Sequence, residues 1–559
     1  MTIIATRAEA IGQAFTGSEI IETAGFARKG DGGEGRYYLI DPASYSGAPA
    51  DAGPGTIECL NGWYRLMGAE LFIEQFGASC SGADEAAADG TSGLDNAAAI
   101  NAAVAFASAN GASRIGARSK GRFGVGAKVL LDDERLTFGN GISPFSLDLV
   151  ALTANSFVAG EGIVELTKNR TSLDGFRLTI PSGVWDEVAQ AGTQVSGVKT
   201  TGGGAKIYHN RVWNVEVIGG YKAFDLQGLE GDIRKTRAKG PFAFGYHVTG
   251  SDSEFSPSCT ASDGDVGFYS NAGAEGAVHC VRNRINFHLD GGQPNRLFCF
   301  DDTPLETGIW ARNLRGAHLL TFHGKVGQHA DAASTAHYIK LERCRHCTFE
   351  NAGTYRAQDA ATLAVSADAY FLDIPSEWTG DPWTSVRNRF VGYRLDETGI
   401  AENPAKMARA ARNKFVGCEG THLARLTGDN HQLLGTGVTL TAGGTVTFER
   451  YLSRRPGGAY PHILRVLGKA IVTRSESEDV LLDISLRVPV TDDASTSFAG
   501  TAVVSEREKT GSGNFAVSIA NVAYDPKENR IAFDLTGPAN FDSKCEVVLT
   551  DVLCDNGAF

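Results

Sequence analysis

Acidic residues recur in pairs along one stretch of this sequence: Asp263 and Asp265, then Asp301 and Asp302, with Arg282 and Arg284 between them. Two carboxylates flanking one bond can hydrolyse a glycoside, one protonating the leaving oxygen while the other activates water. An arginine beside an acid holds it ionised, whereas a second acid pushes a carboxyl towards its neutral form, so such a set can keep both protonation states in one place. The same residues also read as turns, at Asp263–Gly264 and Asp302–Pro304, with the arginines solvating the chain.

A second set is spread more widely. Asp225, His247, Tyr269, His288 and Trp310 return at near-constant spacing, and Gln227, Thr249, Asn271, Asp290 and Arg312 lie two positions further on. Rings stacked along an exposed face suit the apolar faces of pyranoses, while amides, acids and a guanidinium take the hydroxyls. A decorated exterior without a ligand is the other reading of this stripe. His323, with Ser262, Asn283 and Asp302, completes a third outward series.

All three sets need a scaffold that repeats about every twenty residues. Val217, Ala238, Cys259, Cys280, Cys299 and Leu320 form one column, with steps of 21, 21, 21, 19 and 21. Phe224, Tyr246, Phe268, Phe287 and Ile309 form another, with steps of 22, 22, 19 and 22. Such a period, without an L-x-x-L-x-L frame and with stretches too short for paired helices, marks a solenoid of short strands. Each column is expected to be one buried row, every cysteine lying above its equivalent in the turn below. Successive turns stack at about 4.8 Å, so acid pairs two turns apart lie about 9.6 Å apart, near the separation used by inverting glycosidases.

The fold class expected is mainly β: a right-handed parallel β-helix with a short N-terminal β-rich module, a capping helix and a C-terminal antiparallel β-sandwich. The module is assigned to residues 1–70, the β-helix to 71–435 and the sandwich to 436–559, where "VTLTAGGTVTFERYL" begins a run of alternating strands. Within "LDNAAAINAAVAFASANG", Ile100, Ala103, Val104 and Ala107 follow helical spacing, Asp95 or Asn96 can cap the start and Gly111 the end. "NRVWNVEV", "CTFENAG", "RNRFVGY" and "RNKFVGC" extend the repeat with longer loops.

Composition narrows the function. Among 559 residues, 68 are glycine and 3 are methionine, which fits turn-rich β structure rather than a helical bundle. A formal net charge of -13 disfavours binding along nucleic acid. The start, "MTIIATRAEAIGQAF", has no signal-peptide pattern and no membrane-length apolar run, so the expectation is a chain made without a cleaved leader and without membrane insertion. Ten cysteines are too few for a disulfide scaffold. Cys344 and Cys347 have zinc-like spacing but no second pair follows, so no metal and no cofactor are expected. The glycines at 30, 32, 33 and 35 match G-x-G-x-x-G, yet "RYYLI" follows as a strand where a dinucleotide loop needs a helix.

"LFIEQFGASCSGADEAAADGTSGLDNAAAINAAV", with Phe76, Gly77, Ala78, Asp95, Asn96, Ala99, Ile100 and Ala103, resembles the F-G-A, D-D-T-x-A-[IL]-x-x-A entrance of pectate-lyase-like β-helices common in bacteriophage tailspikes. It departs from that pattern in an acidic, Ala-rich insertion and in Asn96 where a second Asp is usual. The segments "GFARKGDGGEGRYYLI" and "GWYRLMG" are similar to β-rich modules that open phage tail proteins. Asp290, the pair Asp301 and Asp302, and "FHG" with His323 resemble in order the N-x-D, D-D and G-H-G blocks of polygalacturonase-type hydrolases, although the Asn spacing differs and no R-x-K follows.

The tailspike resemblance implies a homotrimer on the virion tail, joined through its N-terminus to a tail or baseplate protein and acting outside the host on a surface polysaccharide. The expected activity is depolymerisation by glycoside hydrolysis, with Asp302, Asp301, Asp265, Asp263 and Asp290 as candidate catalytic acids. His247, Tyr269, His288, Trp310, Arg312, Arg284 and His323 are the candidate substrate-binding residues. A polysaccharide lyase using His247, Tyr269 or His288 as base and Arg282, Arg284 or Arg312 against a uronic carboxylate is the enzyme alternative. A receptor-binding adhesin without turnover is the other.

Overall fold

The computed structural model describes residues 2–15, 19–40, 52–80, 90, 93–141, 147–153, 157–186, 189–201, 206–250, 253–316, 318–326, 337–356, 370–373, 385, 388–392, 414–416, 432–451, 462–475, 478–490, 498–510, 515–525 and 530–554. These fall into two compact units, Met1–Pro304 and Leu305–Phe559.

The first unit opens with a five-stranded sheet in the order Thr2–Ile4, Ile20–Thr23, Gly35–Leu39, Gly62–Leu66, Thr56–Cys59. Asp31 stabilises the glycine-rich turn, its carboxylate accepting from the backbone N–H groups of Phe26, Ala27, Arg28 and Gly33. The following Gly35–Leu39 is a strand. The helix Ala97–Asn110 starts where Asp95 Oδ1 accepts from the Ala97 N–H at 3.0 Å and ends at Gly111, whose φ of 72° suits a residue without Cβ. Its Ile100, Ala103, Val104 and Ala107 are buried. Asn96 is an anchor rather than a cap: its Oδ1 accepts from Ser79 N and its Nδ2 donates to the Leu94 and Gly124 carbonyls.

Beyond the helix the chain winds as a parallel β-helix. Each strand pairs with the strand one turn later, because alternate residues are apolar and their inward side chains bury only when turns stack. One sheet of this unit runs Val129–Leu131, Gly162–Leu166, Ser196–Thr200, Lys222–Gln227, Phe244–Thr249, Val266–Ser270, Ile285–Asp290, every neighbour parallel. The other includes Ser172–Thr179, Ile207–Ile218, Leu229–Arg234, Ser253–Ser262, Ala274–Val281 and Arg296–Asp302.

The aromatic column holds through this unit. Phe224 pairs with Tyr246, Tyr246 with Phe268 and Phe268 with Phe287, and all four are fully buried. Phe224 and Tyr246 stack face to face at 5.0 Å.

The single cysteine column does not hold. Val217 pairs with Ala238, Ala238 with Ala261, Ala261 with Cys280 and Cys280 with Asp301. Cys259 and Cys299 instead share the neighbouring row, on either side of Val278. The cause is a register shift between Phe255 and Cys259, which lengthens one turn at the expense of the next. The displacement is two residues, so the cysteines stay inside and the outward set stays outside. All three thiols are wholly buried and free.

The second unit contains Thr307–Arg312, His337–Glu342 and Tyr370–Asp373 as one parallel set, and Leu319–Val326, Thr348–Arg356, Arg389–Val391 and Lys414–Val416 as another. Its remaining strands are antiparallel. Five of them, Gln432–Leu440, Ser543–Cys554, His462–Ser475, Glu478–Val490 and Thr501–Thr510, form one sheet, and four, Thr445–Tyr451, Arg530–Thr536, Ser518–Asp525 and Phe498–Ala499, form the other. Leu482, Leu486 and Val547 of the first share one apolar core with Phe448, Phe533 and Tyr524 of the second.

Candidate functional site

In the sheet containing Lys222–Gln227, inward residues alternate with outward ones, so Phe224 enters the core and Asp225 faces away from it. Register then builds an outward row: Lys199 pairs with Asp225, Asp225 with His247, His247 with Tyr269 and Tyr269 with His288. This is the stripe expected from spacing, and four of its five members lie in one unit.

Asp225 is the most enclosed member, at 2% exposure. His247 Nδ1 lies 2.8 Å from its Oδ1, while Gln227 Nε2 at 2.9 Å, Ser196 Oγ at 3.3 Å and Lys222 Nζ at 3.4 Å surround Oδ2. Burial pushes this carboxyl up, but the His247 hydrogen bond and the Lys222, His247 and Lys199 charges outweigh it and hold the group below its ordinary value. An ionised Asp225 accepts a hydrogen bond from Nδ1–H of His247, which leaves Nε2 as the lone-pair nitrogen of the neutral ring. His247 Nε2 makes no hydrogen bond among the described residues.

The row is also a continuous aromatic surface. His247 stacks on Tyr269 with centroids 4.9 Å apart and planes 10° apart, and Tyr269 meets His288 edge to face at 5.2 Å. Phe244 touches both His247 and Tyr269, Tyr221 touches Phe244, and Trp185 touches Tyr221 at 5.0 Å. Trp185 comes from the short hairpin of Trp185–Asp186 and Ala191–Gly192. Tyr221, Phe244 and Tyr269 are half-buried, whereas Trp185 is buried beneath them.

The acid pairs fare differently. Asp301 faces inward in the row of Ala261 and Cys280 and is 1% exposed, so it cannot meet a polymer. Burial raises its carboxyl to about 7; Asn286 Nδ2 bonds Oδ1 at 2.5 Å and works against that shift, and Oδ2 has no partner among the described residues. This corrects its expected place in a surface pair. Asp263 and Arg282 occupy equivalent left-handed corners of successive turns, with φ of 64° and 51°, and their side chains pair at 2.6 Å. Asp265 and Arg284 also pair, at 2.5 Å, without the left-handed backbone. The turn reading therefore accounts for both corners, with each acid engaged by the arginine of the next turn.

Asp302 lies on the other sheet, paired with Val281, with Oδ2 3.8 Å from Nε2 of His279. Val281 in turn pairs with Ser262, so Asn283 is not in that outward series: it is wholly buried, bonding Ala261 O and Asn286 Oδ1. Asp290 is half-buried at the end of Ile285–Asp290.

Trp310, Arg312 and His323 belong to the second unit. Trp310 packs under Lys340 Nζ at 4.4 Å, Arg312 faces Glu342 at 3.5 Å, and His323 is half-buried at a register shift on Leu319–Val326. Arg282, Arg284 and Arg312 are thus each opposed by a carboxylate. Cys344 and Cys347 are buried thiols whose sulfurs bond backbone carbonyls, and burial pushes both upward, Cys347 to about 12. Among the described residues no group of three potential ligands could hold a metal, and no helix is long and apolar enough to cross a membrane.

Spacing put Asp225, Gln227, His247, Tyr269 and His288 on the outward face but gave Asp225 and Gln227 no catalytic role and missed Lys222, Tyr221 and Phe244. The i, i+3 and i, i+2 placement of Lys222 and Gln227 about Asp225 was the available signal.

No protein-family model and no curated protein sequence matches the chain. Among solved structures it is similar to the tailspike protein of Acinetobacter phage vB_ApiP_P1, at 14% identity over 99% of both chains and a TM-score of 0.38. It is similar to tailspike gp49 of Acinetobacter baumannii bacteriophage Fri1, a capsular polysaccharide depolymerase, at 12% identity, 99% and 100% coverage and a TM-score of 0.39. The tailspike of E. coli bacteriophage HK620 in complex with pentasaccharide is similar at 9% identity, over 88% of this chain and 96% of its own, with a TM-score of 0.36.

Proposed function

We propose that this chain is a phage tailspike that binds and depolymerises a bacterial surface polysaccharide along the outward row Asp225, His247, Tyr269 and His288. The observation that carries the reading is the His247 ring, held by a buried, ionised carboxylate on one side and stacked on Tyr269 on the other. Rings from Tyr221 to His288, backed by the buried Trp185, offer flat apolar area to pyranose faces at little cost in side-chain entropy.

β-Elimination on a uronic-acid polymer is the chemistry this set serves best. His247 Nε2 takes the proton α to the uronate carboxyl, the released electron pair forms the C4–C5 double bond, and the C4–O bond breaks. The leaving oxygen takes a proton from solvent, and His247 returns its own. Lys199, in register with Asp225, offsets a uronate charge beside an acidic protein, while Lys222 is paired with Asp225 itself. Hydrolysis remains the second reading, favoured by Asp302 beside His279 on the other sheet.

The test is incubation of the full chain with alginate, polygalacturonate and purified capsular polysaccharides, followed by gel filtration and ultraviolet absorbance. Shortened chains with a new absorbance from the unsaturated ends support elimination. Shortened chains without it support hydrolysis, and unchanged chain length across the panel contradicts depolymerisation.

A further inference from the structure

Beyond Asp225 the His247 row continues away from the aromatic residues. Leu130 pairs with Glu165, Glu165 with Lys199, Lys199 with Asp225 and Asp225 with His247, so Lys199 and His247 stand two turns apart, roughly 9.6 Å at strand spacing. Charges alternate along this end of the row, and the others already have partners. Lys128 Nζ lies 2.8 Å from Glu161 and 3.4 Å from Glu165, and Lys222 Nζ lies 3.4 Å from Asp225. Lys199 forms no ion pair among the described residues.

The fold nevertheless fixes this ammonium. Its Nζ donates to the Gly160 carbonyl, and its stem passes over Gly162, where a Cβ would come within 2.5 Å of the Lys199 Cβ. Gly160 belongs to the preceding turn, so this bond draws the head away from His247. An ammonium carries three donors, and two remain for a ligand. Glu165 is 6% exposed and Asp225 2%, whereas Lys199 between them is half-buried and meets solvent.

A cation so placed does not serve the sugar that His247 deprotonates, because that sugar's carboxylate is bonded to the carbon that loses the proton. It meets a carboxylate further along the polymer. A pyranose in an extended chain spans about one strand spacing, so the sugar over Lys199 is the second from the one over His247. The sugar between them lies over Asp225, a sealed carboxylate whose Lys222 and His247 partners are already engaged. A uronate there meets like charge, which a neutral sugar avoids.

Resting on the reading of this row as the site of cleavage, we propose that it takes a polysaccharide in which uronic acid alternates with an uncharged sugar, Lys199 holding the uronate beyond the neutral residue. Lys199 is then a specificity-determining residue, and a polymer with a carboxylate on every sugar fits less well.

The test is calorimetric titration of the His247→Ala chain, to suppress turnover, with three hexasaccharides: glucuronate alternating with N-acetylglucosamine, galacturonate alone, and N-acetylglucosamine alone. The alternating hexamer is expected to bind about ten-fold more tightly than either of the others. Adding Lys199→Gln is expected to weaken it about ten-fold, the loss of one charge-assisted hydrogen bond, and to leave the N-acetylglucosamine hexamer unchanged, while Lys199→Arg restores most of the affinity. Cleavage by the chain with His247 intact is read separately, by ultraviolet absorbance. Selective binding that depends on Lys199, without cleavage, supports this recognition and contradicts the elimination. Equal binding of the alternating and galacturonate hexamers, no binding of the alternating hexamer, or an affinity unaltered by Lys199→Gln overturns the proposal, even where the absorbance shows elimination.

Discussion

Asp225 and His247 are separated by twenty-two residues in sequence yet stand in register on adjacent strands, their Oδ1 and Nδ1 atoms 2.8 Å apart. The carboxylate is sealed beneath the imidazole, so it acts on a substrate only through the ring.

Asp225→Asn keeps the shape of the pair and removes its fixed acceptor. An amide N–H facing Nδ1 selects the tautomer with its proton on Nε2, where a base needs a lone pair. We expect kcat to fall by about 100- to 10,000-fold with KM little changed. Steady-state kinetics on the polymer cleaved by the unmodified chain measures both, and a KM effect alone would point to substrate holding instead.

Asp263→Asn and Asp265→Asn should act differently. Each acid is paired with an arginine at an exposed corner, and such pairs contribute at most about 1 kcal/mol. Activity should stay near that of the unmodified chain and the melting temperature should shift slightly. Loss of turnover in either variant would return these acids to the catalytic set.

The interior carboxyl of Asp301 makes stability depend on pH. Its value rises from 3.8 to about 7 on folding, so between those values the folded chain binds more protons than the unfolded one. Stability from this group is full below about pH 4 and declines as pH rises towards 7, by on the order of a few kcal/mol. Asp301→Asn, which retains an acceptor for Asn286, should flatten that decline and melt higher than the unmodified chain at pH 8. Parallel melting curves across pH would contradict this.

Phe268 lies between Tyr246 and Phe287 in the buried aromatic column and also meets Phe255. Phe268→Ala should cost about 3–5 kcal/mol, the usual range for a large core truncation. Denaturant unfolding of the unmodified and variant chains checks it, with a loss under about 1 kcal/mol indicating that the column is not tightly packed.

The aromatic column was legible because each turn in this region keeps one large apolar residue at nearly constant spacing, and its outward neighbours inherit that register. The cysteine column was not, because the shift before Cys259 leaves a 19-residue step to Val278, whereas the average period pointed to Cys280. Asp301 was a separate error: two residues after the inward Cys299, it faces inward by strand alternation. Asp225 shows the opposite limit: spacing placed it on an outward face, but its enclosure depends on Lys222, Gln227, Ser196 and His247 converging from three turns.

The most direct measurement is a crystal structure of the His247→Ala chain soaked with oligosaccharides from the polymer it recognises. The account requires sugar rings lying across Tyr269 and His288, with the bond to be cut over the emptied imidazole position. A saccharide bound elsewhere, with this row bare and the intact polymer still shortened by the variant, contradicts it.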